Sequence, residues 1–397
     1  MSSEFLKVAA RACFTLSLHA VSNPERLMPD PHTPLPPNDT PDLLPRYLAL
    51  TWAGLTVYGS LYPFSGWQYA GTGPFVFLAW AWPQYWTAFD LAANIVVYMP
   101  MGFFLALSLR RLPGRASGVL CAICASGVLS LGMESLQTWL PSRFASNLDF
   151  ACNVLGALLG SLIAAWVGTR LRAWWKFWRS RLIAPLPHVD LGLTLLGLWI
   201  LTLLSPETLL FGVGDLRHTF GREPPALDYA AQTYHVAETA VVTCNVLALG
   251  LFVAALLRGR WRAYFLVPAF FAFAAVVCSL SAALLSAPAQ FLVWMTPGAR
   301  EGLLYGMTLL AATLLLPPRL RPMLAAIALL AGVLLVNCIP MNPYTLATLA
   351  RWREGHFLNF NGLTRWISIV WPFLALPYLF FARHKENLMA ENALRPH

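Results

Sequence analysis

Polar side chains at the ends of three consecutive apolar stretches have the types and spacing that could support chemistry. Two stretches begin with an aspartate that is followed four residues later by an asparagine. The stretch between them ends with a glutamate that is followed three residues later by a glutamine, and an arginine lies in the next connection. Residues three or four apart share one face of a helix. The set is Asp90, Asn94, Glu134, Gln137, Arg143, Asp149 and Asn153.

Two kinds of chemistry fit this cluster. All of its residues could bind a headgroup, a sugar or a peptide through hydrogen bonds. Alternatively, Glu134 could act as an acid or base on a lipid-linked saccharide, with Asp149 or Asp90 as its charged neighbour, because carboxylates in different environments can divide these roles. A structural explanation also stays open, in which the aspartates favour helix N-termini and Arg143 ties its loop to Glu134.

No metal site, cofactor or nucleic-acid partner is predicted. Cys121 and Cys124 form a C-x-x-C sequence, but a zinc or redox site would need a second pair or a nearby histidine. The net charge of +9 comes from short basic connections between apolar stretches. Such a distribution sets the orientation of a membrane protein, so we expect membrane lipid as the partner.

The composition indicates that lipid is the solvent. Hydrophobic residues make up 58% of the chain and charged residues 11%, whereas soluble domains carry about 25% charged residues. The mean hydropathy is +0.59. The apolar runs are continuous, and about 20 residues cross a bilayer as a helix. We therefore predict an all-α, polytopic integral membrane protein with about ten transmembrane helices. The predicted spans are 46–64, 91–109, 116–138, 148–168, 189–210, 237–257, 263–287, 302–317, 321–340 and 365–382.

Alternate connections between these spans are basic. Arginine and lysine cluster at 110–115, 169–181, 258–262 and 317–322. All four clusters lie on one side of the membrane if the spans alternate, and the positive-inside rule makes that side cytoplasmic. We therefore expect both termini in the cytoplasm and the polar cluster at the outer surface. Residues 169–181 are also predicted to be a short basic, Trp-rich amphipathic piece that lies on the inner leaflet and meets anionic lipid.

The predicted organisation has four parts. They are a Pro-rich cytoplasmic segment (1–46), a four-helix membrane domain (47–182), a second, degenerate four-helix unit (183–318) and two C-terminal helices with a short tail (319–397). A faint match between 89–110 and 237–258 suggests a tandem repeat. It aligns Asp90 with Glu238 and Gly102 with Gly250, and further on Arg143 has a counterpart in Arg300. Chance similarity of apolar stretches is the alternative.

The cluster and its neighbours resemble the VanZ-like family of bacterial envelope proteins. That family carries D-x-x-x-N and F-x-P-x-G on one span, E-x-x-Q on the next, P-x-R in the loop and D-x-x-x-N-x-x-G-x-x-x-G on the third. The matching residues are Asp90, Asn94, Pro100, Gly102, Glu134, Gln137, Pro141, Arg143, Asp149, Asn153, Gly156 and Gly160. Tyr98 stands where the family often has phenylalanine. The resemblance covers about residues 47–168, and the second half lacks most of the pattern.

The resemblance predicts the cellular compartment of the protein, but it does not predict a particular reaction. The family's namesake is linked to low-level resistance to teicoplanin-type antibiotics, and larger members resemble exopolysaccharide accessory proteins. It implies a protein of the bacterial inner membrane that binds or screens a glycolipid, a polysaccharide or a cell-wall precursor. An enzyme acting on a lipid-linked saccharide and a transporter are the alternatives. A transporter usually places its polar groups near the midplane, whereas the cluster is expected at the rim.

Overall fold

The computed structural model describes residues 42–69, 71, 73–186, 188–204, 209–217, 231–285, 291–338 and 358–394. Most of the predicted N-terminal segment lies outside these residues. The helices are α1 Leu44–Leu61, α2 Ala88–Ser108, α3 Arg115–Gln137, α4 Asn147–Leu182, α5 Val189–Thr202, α6 Ala231–Leu256, α7 Arg260–Leu285, α8 Pro297–Thr313, α9 Arg321–Cys338 and α10 Leu358–Leu394. Short 3-10 helices occupy Val76–Ala79 and Pro318–Leu320.

The all-α prediction is confirmed for the described residues, where β structure is limited to one bridge between Ile183 and Leu257. Each predicted span overlaps one helix. In the described part of the chain, seven helices are long and apolar enough to cross a membrane. The predicted count of about ten crossings is therefore not confirmed. Helix α5 has 14 residues and α8 has 17, both shorter than the usual span of about 20.

Helices α2 and α4 pack closely because the glycines at their interface have no side chains to hold the two backbones apart. A Cβ added at Gly102 would overlap the backbone of Ala157, and one at Gly160 would overlap the backbone of Met99. Small residues allow membrane helices to approach in this way. Gly156 and Gly160 of the G-x-x-x-G motif therefore belong to the α2–α4 contact, which fixes the register between two of the helices that carry the cluster.

Helices α6 and α8 form a second pair with glycines at its interface. A Cβ at Gly302 or Gly306 would meet the side chains of Val242 and Val246, respectively. The second and fourth helices of both predicted units therefore pack against each other. The tandem repeat and the four-part division of the chain stay predictions, since this pairing alone does not establish a common ancestry.

Residues 169–181, which the sequence places in the connection after the fourth predicted span, are helical and continue α4. The helix has 36 residues, about 54 Å at 1.5 Å per residue, and so exceeds a hydrocarbon layer of about 30 Å. No proline or glycine follows Gly168 before the helix ends, so nothing local interrupts it. Its far end is held by an ion pair of 2.9 Å between Arg179 and Asp190.

Candidate functional site

The predicted site residues lie at one end of the first four helices. Helices α1 and α3 finish at this end, and α2 and α4 begin there. We call it the cluster end. The connection from α3 to α4 spans only residues 138–146. This short loop forces the last turn of α3 and the first turn of α4 to be neighbours, so that the carboxylates of Glu134 and Asp149 come together.

Glu134 joins α3 to the start of α4. Its Oε2 accepts a hydrogen bond of 2.9 Å from the backbone N–H of Ser146. The Ser146 hydroxyl in turn accepts bonds of 3.2 and 3.3 Å from the backbone N–H groups of Leu148 and Asp149, which makes it the N-cap of α4. Glu134 is only 4% exposed. The carboxylate therefore has a structural partner in the backbone at the start of α4.

Asp149 lies between the other acidic residues. Its carboxylate faces the side-chain amide of Asn94, and the charges of Asp90 and Glu134 act on it. Asp149 is half-buried, while Asp90 is exposed. Asp90 accepts a hydrogen bond of 2.7 Å from the hydroxyl of Thr87. The three carboxylates thus form a series from the surface into the bundle, running from Asp90 through Asp149 to Glu134.

A buried polar layer lies beneath the carboxylates. The Nδ2 of Asn153 donates a hydrogen bond of 2.9 Å to the Ser130 hydroxyl, and Tyr98 lies beside Ser130 and Glu134. The Oδ1 of Asn153 and the Ser126 hydroxyl are buried and find no hydrogen-bond partner among the described residues. An unpaired buried polar atom costs about 1–3 kcal/mol, so these atoms mark positions where a water or a ligand group would be stabilised.

Ser126 and Ser130 are not among the predicted site residues, and Tyr98 enters the sequence pattern only as a departure from the family motif. The spacing of the serines relative to Glu134 could have predicted their position. Ser126, Ser130 and Glu134 recur every four residues, which places them along one face of α3. All three are at most 4% exposed. A search for small hydroxyl residues in helical register with a membrane carboxylate would therefore have found this layer.

Gln137 and Arg143 reach α1. The Nε2 of Gln137 donates to the backbone carbonyl of Ser60 at 2.9 Å. The Arg143 guanidinium donates to the carbonyls of Gly59 at 3.0 Å and Tyr62 at 3.2 and 3.3 Å. Burial lowers the pKa of Arg143 from its ordinary value, while the carbonyl end of a helix favours a cation. The expected pairing of Arg143 with Glu134 or Asp149 stays a prediction, because the contacts that anchor its side chain are made to α1.

The arrangement offers oxygen acceptors and amide donors to a polar ligand. Among the described residues, no three His, Cys, Asp or Glu side chains lie where they could hold one metal ion. The fold and the site together define a polytopic helical membrane protein with an acidic, amide-rich cluster at one end of a four-helix bundle.

Residues 47–168 match the family model VanZ/LLP1. This part of the chain is therefore a VanZ-like region, with the bounds that the motifs predicted. Neither a curated protein nor a solved structure matches the chain.

Proposed function

We propose that the protein is a VanZ-like membrane protein of the bacterial cell envelope whose cluster binds or screens a ligand of the outer leaflet or the cell wall. The ligand class is a glycolipid, a polysaccharide or a wall precursor, each rich in hydroxyl and amide groups. Carboxylate oxygens accept hydrogen bonds from such groups, and side-chain amides both donate and accept them. The proposed location is the inner membrane, with both termini in the cytoplasm.

The observation that carries this proposal is the graded exposure of the acidic series. Asp90 is exposed, Asp149 is half-buried, and Glu134 is 4% exposed. Helix capping accounts for the aspartates at the first turns, but it does not require Asn94 opposite Asp149 or the layer around Ser130 and Asn153. A ligand group entering from the surface would meet acceptors at successive depths.

The orientation rests on the basic residues at the opposite end of the bundle. The connections 110–115 and 258–262 lie there, and the backbone bridge between Ile183 and Leu257 places the far ends of α4 and α6 together. Single cysteines introduced as Ser142→Cys and Pro113→Cys in a chain without its native cysteines test this. In intact cells an impermeant maleimide should label the first and spare the second, and the reverse pattern would invert the topology.

A second candidate is an enzyme acting on a lipid-linked saccharide. The observation that favours it is that Glu134 and Asp149 influence each other's charge while they differ in exposure. Two carboxylates in unlike environments can serve as proton donor and charged partner. In this candidate Glu134 acts as acid or base, and Asp149 or Asp90 stays ionised.

Glu134→Gln tests both candidates, because it removes the charge and keeps an acceptor for the Ser146 N–H. Glu238→Gln is the matched control. Glu238 is 5% exposed and accepts a 2.6 Å hydrogen bond from Thr296, but it lies on α6. Binding of a soluble muramyl pentapeptide to the purified proteins should weaken about tenfold or more in Glu134→Gln, and it should be unchanged in the control.

Growth under a teicoplanin-type antibiotic provides the cellular readout. Expression of the native chain should raise tolerance, and Glu134→Gln should abolish this gain while the protein level stays near normal. If the protein level and the tolerance fell together in Glu134→Gln, the cluster would have only the role of a structural cap. Incubation with a lipid-linked disaccharide, followed by mass spectrometry, separates the candidates, since a product formed by the native chain and absent with Glu134→Gln would establish the enzyme.

A further inference from the structure

The connection between α1 and α2, residues 62–87, is aromatic and uncharged, and we call it the aromatic connection. Ten of its 26 residues are phenylalanine, tyrosine or tryptophan, and none is aspartate, glutamate, lysine or arginine. Trp82 is 66% exposed, Tyr85 is 93% exposed and Trp86 is 58% exposed. Large exposed apolar surfaces mark places where a protein contacts a membrane or another molecule. The aromatic connection is therefore a candidate interaction surface.

Two hydrogen bonds hold the aromatic connection at the level of the helix ends. The backbone N–H of Gln68 donates to the carbonyl of Trp139 at 2.8 Å, two residues after the end of α3. The Nδ2 of Asn147, the first residue of α4, donates to the carbonyl of Trp80 at 2.7 Å. Between these bonds Phe77 is fully buried. The aromatic connection therefore lies across the cluster end of the bundle.

The level of the helix ends corresponds to the headgroup layer of a bilayer. Helix α2 is long and apolar enough to cross a membrane, and its 21 residues extend about 32 Å at 1.5 Å per residue. This length matches the hydrocarbon thickness of about 30 Å, and the headgroups add about 5–7 Å on each side. Tryptophan and tyrosine are enriched in this layer. A segment bonded to the helix ends therefore lies where lipid headgroups are.

The aromatic connection is continuous with a surface that lipid covers. On α2, Phe89 is 65% exposed and Val96 is 60% exposed. Residues seven apart share one face of a helix, and an exposed apolar face of a membrane-spanning helix contacts acyl chains. Tyr85 and Trp86 come directly before this helix and its capping residue. The exposed aromatic side chains therefore extend the lipid-facing side of α2 towards the headgroups.

The aromatic connection also borders the cluster. Thr87, its last residue, donates a hydrogen bond to the exposed carboxylate of Asp90 at 2.7 Å. Asn147, which is bonded to Trp80, precedes Asp149 by two residues in the first turn of α4. The two outer members of the acidic series therefore lie at the level of the aromatic connection.

We propose that the aromatic connection lies in the headgroup layer of the leaflet at the cluster end, and that the cluster binds a lipid-anchored saccharide from this leaflet. The lipid tail stays among the acyl chains beside α2, and the sugar headgroup lies at the level of Asp90 and Asp149. A ligand held in this layer reaches the carboxylates by lateral diffusion and does not leave the membrane. The choice of ligand rests on the proposed function, whereas the position of the aromatic connection does not.

Fluorescence quenching in nanodiscs tests the position of the aromatic connection. Tyr85→Cys carries a bimane label in a full chain without its native cysteines. Ser142→Cys, in the exposed part of the connection from α3 to α4, is the matched control. The quenchers are a phosphatidylcholine with a nitroxide on its headgroup and iodide in the water. The ratio of nitroxide to iodide quenching should be higher for Tyr85→Cys than for Ser142→Cys, because headgroups surround the first label.

Two forms of one ligand test the binding. They are the soluble muramyl pentapeptide and the same muramyl pentapeptide attached to polyprenyl pyrophosphate in nanodiscs. The native chain should bind the lipid-linked form about tenfold or more tighter, because anchoring raises the concentration of the ligand at the site. Trp82→Ser combined with Tyr85→Ser should reduce this preference, because the aromatic connection then leaves the headgroup layer, and binding of the soluble form should be unchanged. Trp261→Ser combined with Phe265→Ser, which removes exposed aromatic side chains from α7, should retain the preference.

An equal or lower quenching ratio for Tyr85→Cys would overturn the position of the aromatic connection, and protection from both quenchers would overturn it by revealing a protein contact. Equal affinity for the two ligand forms, with both weakened in Glu134→Gln, would overturn the lipid-anchored ligand and leave the proposed function in place. If neither form bound while the Tyr85→Cys label was quenched by the nitroxide, the proposed function would fail together with the choice of ligand. The position of the aromatic connection would then stand.

Discussion

The pair α2–α4 and the pair α6–α8 are built on the same plan but carry different interiors. Gly102 and Gly250 occupy aligned positions in the two predicted units. A Cβ at Gly102 would meet the backbone of Ala157, whereas one at Gly250 would meet the end of the Leu310 side chain. At these aligned positions the first pair packs against backbone and the second against the end of a side chain, although Gly302 in the second pair also lies against the backbone of Thr239.

The apolar cores of the two halves also differ. The first half buries Glu134, Asn153 and the serines between them. The second half has an extended apolar core that includes Trp199, Phe252 and Trp371. A rigid backbone contact preserves the positions of a polar cluster, while an apolar core provides stability by burial. The predicted site residues all lie in the first half, while the larger apolar core lies in the second.

The largest difference in the free energy of unfolding is expected when one methyl group is added at each of the two aligned glycines. Gly102→Ala adds a Cβ against a backbone that cannot rotate away, and overpacking costs about 1–3 kcal/mol. That exceeds the roughly 1 kcal/mol that alanine gains over glycine in a helix. Gly250→Ala meets only the Leu310 methyl end, so the gain should offset most of its cost. Unfolding in mixed micelles measures both, and equal losses would show that the packing of the two pairs does not differ.

A second comparison concerns Arg143, in the connection from α3 to α4, and its predicted counterpart Arg300, in the first turn of α8. Arg143→Ala removes three hydrogen bonds from a guanidinium to α1, and such charged bonds contribute about 1.5–3 kcal/mol together when half-buried. Arg300, the predicted counterpart, is exposed, so Arg300→Ala should change the free energy of unfolding by less than about 0.5 kcal/mol. The same unfolding assay compares them. A loss in Arg300→Ala as large as in Arg143→Ala would support two equivalent halves.

The smallest expected difference concerns two threonine N-caps. Thr87 caps α2 and bonds to Asp90, which is exposed. Thr296 caps α8 and donates to the buried Glu238 at 2.6 Å. Thr87→Ala should cost about 1 kcal/mol, as for an ordinary cap. Thr296→Ala should cost about 1 kcal/mol more, because a buried carboxylate loses a donor. Thermal unfolding of the two variants in one detergent gives this order, and the opposite order would show that Glu238 has another donor.

The fold was largely predictable from sequence, and the candidate site was predictable in part. The positions of the helices follow from apolar runs, and the VanZ-like region was bounded correctly by its motifs. The count of about ten crossings is not confirmed, because α5 and α8 are apolar but short and α1, with 18 residues, is not among the seven helices that are long and apolar enough. The continuation of α4 past Gly168 does not follow from hydropathy, because basic residues end the apolar run there, although arginine and lysine are good helix formers and the helix continues to Leu182.

The sequence by itself determined that the chain lies in a membrane, where its helices are, and that Asp90, Glu134 and Asp149 share one end of the bundle. These properties depend on hydropathy and on helical spacing, which are local along the chain. Tertiary structure alone decided that Arg143 binds carbonyls 81 and 84 residues away, that Tyr98 joins Ser130, and that the aromatic connection is bonded to the start of α4. Such contacts depend on how each helix is rotated about its axis, and that rotation is set by the packing of glycines against a distant backbone.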